Sequence, residues 1–90
     1  METRIDCPPE PHLRKKLKET LETMPEEIVS LSIDFSNVSI ITGSSISKLL
    51  KLRRILEERK GKLVLCNVSP KTRGIFETTE LHKVFRFSNG

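Results

Sequence analysis

Ile40-Ile41-Thr42-Gly43-Ser44-Ser45-Ile46-Ser47-Lys48-Leu49-Leu50 decides how this chain is read, because an apolar, strand-like run passes there through a small hydroxyl-rich turn into a helix of periodic apolar residues. A turn of Thr, Gly and Ser sets hydroxyls and backbone N–H groups at a helix N-terminus, where negative charge is favoured. The junction is therefore suited to holding a phosphate. The plain alternative is that Ser44 or Ser45 caps the helix, since serine is among the preferred N-caps.

Working outward, Val29, Leu31, Ile33 and Phe35 alternate with Ser30, Ser32 and Asp34, so Ile28 to Phe35 reads as a strand. Ser36-Asn37 supplies a turn, and Val38 to Ile41 is expected to rejoin the core. From Ile46 onward, Leu49, Leu50, Leu52, Ile55 and Leu56 predict a helix with Gly61 as its C-cap. Lys62 to Val68 predicts a second strand. Ser69-Pro70 predicts a helix start, with Ser as N-cap and Pro at the first helical position, running to about Thr79. Leu81 to Phe87 returns as an apolar or terminal strand. Upstream, Leu13, Leu17, Leu21 and Met24 predict an amphipathic helix over 12–24, stopped near Pro25. Pro8, Pro9 and Pro11 break regular structure before it, leaving room for one edge strand at Arg4 to Cys7. Strands alternating with helices define an α/β fold, a single small domain with a mainly parallel sheet and crossover helices. The domain proper spans 12–87, after an N-terminal segment 1–11 and before a frayed tail 88–90.

The net charge of +4 and pI near 9.3 raise nucleic-acid binding. The bases are spread along the chain among Glu residues, however, and the absence of Trp and Tyr removes a stacking platform, so no specific nucleic-acid partner is expected. No apolar run is long enough to span a membrane and no export signal opens the chain, which reads as cytoplasmic without membrane insertion. Cys7 and Cys66 form no metal-ligand pattern, and Cys66 reads as a small buried apolar residue. His12 and His82 read as surface residues outside any catalytic motif, and the Gly43 turn lacks the ending of a P-loop. No enzyme, cofactor or metal is expected. Asp34, near the C-terminal end of a parallel strand, stands where α/β proteins place ligands, although the favoured reading is a solvated strand-end carboxylate.

The succession from Leu31 to Ser47, followed by Gly61-Lys62-Leu63-Val64-Leu65-Cys66-Asn67-Val68-Ser69-Pro70 and the closing Leu81-His82-Lys83-Val84-Phe85, resembles the STAS domain over residues 12–87. The resemblance implies an anti-sigma-factor antagonist that binds an anti-sigma factor with serine kinase activity and is switched by phosphorylation at the helix N-terminus. The family turn usually reads Asp-Ser-Ser-Gly with its second serine phosphorylated, which falls on Ser44 of Thr42-Gly43-Ser44-Ser45. Ser45 and Thr42 are the alternative phosphosites. Asp34, Gly43, Ser44, Ser45, Ser47 and Lys48 are the implied partner-binding residues. Thr42 replaces the family's Asp, Ser45 its Gly, and Ser47 a further Gly. The resemblance also allows an adaptor without phosphorylation, a subunit of a transport or stress-signalling complex. Family members usually begin with a β-hairpin; the room here for one strand implies an open sheet edge and weak self-association or strand pairing with another protein.

Overall fold

The computed structural model describes residues 2–88. The elements alternate as β1 (Glu2–Asp6), α1 (His12–Thr23), β2 (Ser30–Asp34), α2 (Gly43–Glu58), β3 (Leu63–Cys66), α3 (Pro70–Thr78), a 3₁₀ turn (Leu81–Lys83) and β4 (Arg86–Ser88). The sheet order is β1-β2-β3-β4 with every neighbouring pair parallel. Parallel neighbours cannot be joined by hairpins, so each connection must cross over, and the three helices supply the crossovers.

Strand alternation divides the sheet into two faces. Leu31 and Ile33 of β2 lie beside Leu63 and Leu65 of β3, all buried, whereas the register row Arg4–Ser32–Val64–Arg86 is exposed or half-buried. Against the apolar face pack Leu13 and Leu17 of α1, Leu49, Leu52 and Leu56 of α2, and Phe76 of α3. Phe76 meets both Phe85 and Phe87 edge-on at 5.5 Å between ring centroids, which fastens β4 to the core. Cys66 is buried as expected, and so is Cys7, whose thiol burial pushes up to about 12.

Several boundaries differ from the sequence expectations. β2 is confined to Ser30–Asp34, and Val38 to Ile41 forms no strand. The amide of Val38 donates to the Phe35 carbonyl at 2.9 Å, closing a turn. Val38 and Ile41 then dip into the core while Ile40 stands 50% exposed. α2 starts at Gly43, three residues before Ile46. α3 follows its expected plan, Ser69 Oγ accepting from the Thr72 amide at 3.2 Å with Pro70 at the first position. β1 forms the expected edge strand, two residues earlier than Arg4, and no described strand pairs with its outer side. Of the tail 88–90 expected to fray, Asn89 and Gly90 lie outside the described residues, whereas Ser88 belongs to β4 and pairs with Cys66 in the sheet register.

The end of α2 corrects the role given to Gly61. The Gly61 amide donates to Leu56 O at 2.8 Å and the Lys60 amide to Glu57 O at 2.9 Å, the two bonds of a Schellman motif. The left-handed position belongs to Lys60, at φ 64°, not to Gly61. Gly61 is needed for another reason: a Cβ there would lie 1.5 Å from the Val29 carbonyl oxygen. Arg59 completes the joint, its guanidinium donating to the carbonyls of Pro25 at 3.0 Å and Ile28 at 2.8 Å.

Candidate functional site

The first turn of α2 is organised by Thr42, which is the N-cap; neither Ser44 nor Ser45 fills that position. Thr42 has extended backbone dihedrals and its Oγ1 accepts from the Ser45 amide at 3.3 Å. A capping box would place an acid at position 45, reaching back to the cap amide. Ser45 cannot do so, and Glu10 reaches in from the neighbouring β1–α1 connection instead. Its Oε2 accepts from the Thr42 amide at 3.0 Å, from Thr42 Oγ1 at 2.9 Å and from Ser45 Oγ at 2.7 Å. Its Oε1 accepts from the Arg14 amide at 3.3 Å, in the first turn of α1. One carboxylate thus serves two helix N-termini, where negative charge is stabilising. Burial pushes the Glu10 carboxyl upward, but the hydrogen bonds from Ser45, Thr42 and Arg14 outweigh it and hold the group below the ordinary carboxylate range.

This arrangement separates the three hydroxyls of the turn. Ser45 is fully buried and its Oγ is bonded to Glu10. Thr42, though exposed, uses its hydroxyl both as cap acceptor and as donor to Glu10. Ser44 is exposed, and its Oγ accepts one bond, from Lys48 Nζ at 3.2 Å. Gly43 and Ser47 are exposed beside it, and a Cβ on Gly43 would meet nothing. Ile40, expected in the core, is the exposed large apolar side chain among the described residues and lies just before this turn.

Asp34 is not the solvated carboxylate that the sequence allowed. It is 9% exposed at the C-terminal end of β2, ion-paired with Arg4, hydrogen-bonded by the Ser36 hydroxyl and by the Ser36 amide at 2.7 Å, and approached by Asn67 Nδ2 at 3.4 Å. The Ser36 bonds, with Asn67 and Arg4, overcome the upward push of burial and pull Asp34 down to about 2. Among the described residues Asp34 forms no hydrogen bond or ion pair with residues 43–48; it closes the β2 end, from which the loop towards α2 departs. Because the folded value, about 2, lies below the ordinary 3.8, this stability is present above the ordinary value and is lost as pH falls towards the folded one. Asp34→Asn is expected to remove that part of the acid dependence. Urea midpoints that fall in parallel for both proteins between pH 4 and 2 would contradict the assignment.

Sequence reading missed Glu10, Arg4 and Ile40. The missing acid of the Thr42-x-x-Ser45 box was a signal that some other carboxylate must serve the turn, but not which one. His12 is exposed as expected, whereas His82 is half-buried with its Nδ1 buried and unpartnered. The bases, spread in sequence, are gathered by packing. Arg14, Lys15 and Lys18 of α1 face Lys48 and Lys51 of α2 across one groove, and Arg53, Lys60, Lys62, Lys83 and Arg86 line another. Among the described residues no helix is long and apolar enough to cross a membrane.

A model of the STAS domain matches residues 1–90. No curated protein matches the chain. Among solved structures, one assigned as an anti-sigma factor antagonist from Thermotoga maritima superposes with a TM-score of 0.80 at 12% identity, covering 94% of this chain and 74% of that one. An anti-sigma-factor antagonist (STAS) domain protein from Planctomyces limnophilus gives a TM-score of 0.72 at 22% identity, covering 97% and 82%. The anti-sigma factor antagonist SpoIIAA in its unphosphorylated form gives 0.65 at 18% identity, covering 100% and 76%. At these identities the likeness is one of fold.

Proposed function

The chain belongs to the STAS domain family, and from that premise we propose that it is a cytoplasmic regulatory interaction domain without catalytic turnover, working as an anti-sigma-factor antagonist switched at Ser44. One observation carries the choice of residue: Ser44 is the hydroxyl of the α2 first turn that is exposed and spared from the cap, whereas those of Ser45 and Thr42 are engaged by Glu10. The docking face consists of Gly43, Ser44, Ser47 and Lys48, with Ile40 as its apolar contact. Asp34 and Ser45, the other residues of the expected partner-binding set, are buried, and Ser45 supports the face through its bond to Glu10.

A phosphate on Ser44 adds nearly two negative charges and three acceptor oxygens. At the N-terminus of α2, with Lys48 already 3.2 Å from Oγ, the protein accommodates that charge without refolding. A partner seated on the same face meets bulk and charge it cannot desolvate. The family's acid at position 42 is absent, but Glu10 returns a carboxylate to the turn through its bonds to Thr42 and Ser45. Incubation of the native chain with its cognate kinase, followed by mass spectrometry, is expected to place phosphate on Ser44 and not on Ser45 or Thr42. Phosphate on none of the three would favour a non-switching adaptor that uses the same face in a larger assembly.

A further inference from the structure

Resting on the reading that this end of the molecule docks a protein, we propose that the groove between α1 and α2 receives an acidic segment of that partner. The concavity has a volume of about 730 Å³ and is lined by Arg14, Lys15 and Lys18 from one helix and Lys48 and Lys51 from the other. Leu21 supplies an apolar wall and Glu22 the one acid. Five cations against one acid leave the groove strongly positive, and such a field attracts and orients a carboxylate-bearing partner.

The pairing pattern along the helices sharpens the point. On α2, Arg53 and Arg54 are each paired with the glutamate four residues on, Glu57 at 2.8 Å and Glu58 at 3.5 Å. Lys15 and Lys18 also have glutamates four residues on, at Glu19 and Glu22, yet among the described residues they form no ion pair, and neither do Arg14 and Lys51. Their charge is available to an outside ligand. The groove is continuous with the switch through Lys48, which lines it and also touches Ser44 Oγ. A phosphate on Ser44 would therefore draw Lys48 towards itself and set two negative charges at the mouth of a groove that an acidic segment must enter. A concave site with an apolar wall suits a segment carrying carboxylates around one apolar side chain, whereas a bilayer presents a plane and a single strand of nucleic acid would find no Trp or Tyr to stack on.

The probe is a synthetic amphipathic peptide with Glu flanking Leu, titrated into the isotopically labelled chain and followed through its amide shifts. Shifts at Lys15, Lys18, Leu21, Lys48 and Lys51 are expected. Replacing each Glu of the peptide by Gln, or introducing Lys15→Glu with Lys18→Glu into the chain, should weaken binding by about tenfold or more, and added salt should weaken it further. Arg54→Glu, outside the groove, should leave it unchanged, and circular dichroism melting checks that each variant folds. The proposal is overturned by shifts elsewhere or none, by equal binding of the Gln peptide, by an unaffected charge-reversal variant, or by anionic vesicles or duplex DNA taking the groove in preference to the peptide. If the peptide fills the groove equally in the native chain and in Ser44→Asp, the groove stands and its coupling to Ser44 fails. If Ser44→Asp abolishes partner binding while the peptide leaves the groove untouched, the switch stands and the groove proposal fails.

Discussion

Glu10→Ala is expected to lower unfolding stability by about 3 kcal/mol, measured as a shift of the urea midpoint with unchanged slope. The magnitude follows from what one carboxylate does. Its loss leaves the fully buried Ser45 hydroxyl without its 2.7 Å acceptor, releases the Thr42 amide and hydroxyl, and frees the Arg14 amide of α1. An unpaired buried donor costs about 1–3 kcal/mol, and a lost cap about 1 kcal/mol. Glu10→Gln keeps the size but offers a single acceptor oxygen, so about half of the loss is expected. The pH dependence has a definite sign. The folded group titrates below its ordinary range, so its contribution is present above the ordinary carboxylate value and is lost as pH falls through the folded one. Glu10→Gln should flatten that part of the acid curve. A variant as stable as the native chain would show that the Thr42–Ser45 turn does not depend on Glu10.

Gly61→Ala is the second large effect, with an expected loss of about 3 kcal/mol. The added Cβ would be placed 1.5 Å from the Val29 carbonyl oxygen, and backbone rather than a flexible side chain must give way. Two connections meet there: the turn from α2 into β3 and the approach to β2 at Ser30, whose Oγ accepts from the Lys62 amide at 3.3 Å. The neighbouring Lys60→Gly should act in the opposite direction, raising stability by about 0.5–1 kcal/mol, because Lys60 occupies the left-handed region at φ 64° where glycine carries no Cβ penalty. Equal stability of native chain and Gly61→Ala would mean that the joint yields freely.

These two residues mark where the chain could be read and where it could not. The Ser69-Pro70 start of α3, the Leu13–Leu17–Leu21 stripe of α1 and the alternation of β2 are local signals, and the structure keeps them. The N-cap at Thr42 was open to confusion because three neighbouring hydroxyl residues can each cap a helix, and only backbone dihedrals distinguish them. Ile40 reads as apolar and therefore as core, but the tight turn at Phe35–Val38 rotates it outward. Glu10 lies 32 residues from Thr42 and Arg4 lies 30 from Asp34, distances at which sequence carries no pattern. The same holds for the bases, whose spread along the chain concealed the groove made when α1 packs on α2. Gly61 was legible as a required glycine and misread in its reason, since a left-handed cap and a close backbone approach both call for the same residue.

We propose above that Ser44 is a charge switch on a docking face and not a structural cap. The most direct measurement is the affinity of a partner, recovered with the native chain and purified, for Ser44→Ala and Ser44→Asp, together with the melting temperature of each. Because Thr42 and Glu10 hold the turn, both variants should melt within about 0.5 kcal/mol of the native stability, a surface-substitution effect. Ser44→Ala should bind as the native chain does, and Ser44→Asp about tenfold or more weakly. Equal affinity of the two variants at equal stability would contradict the claim.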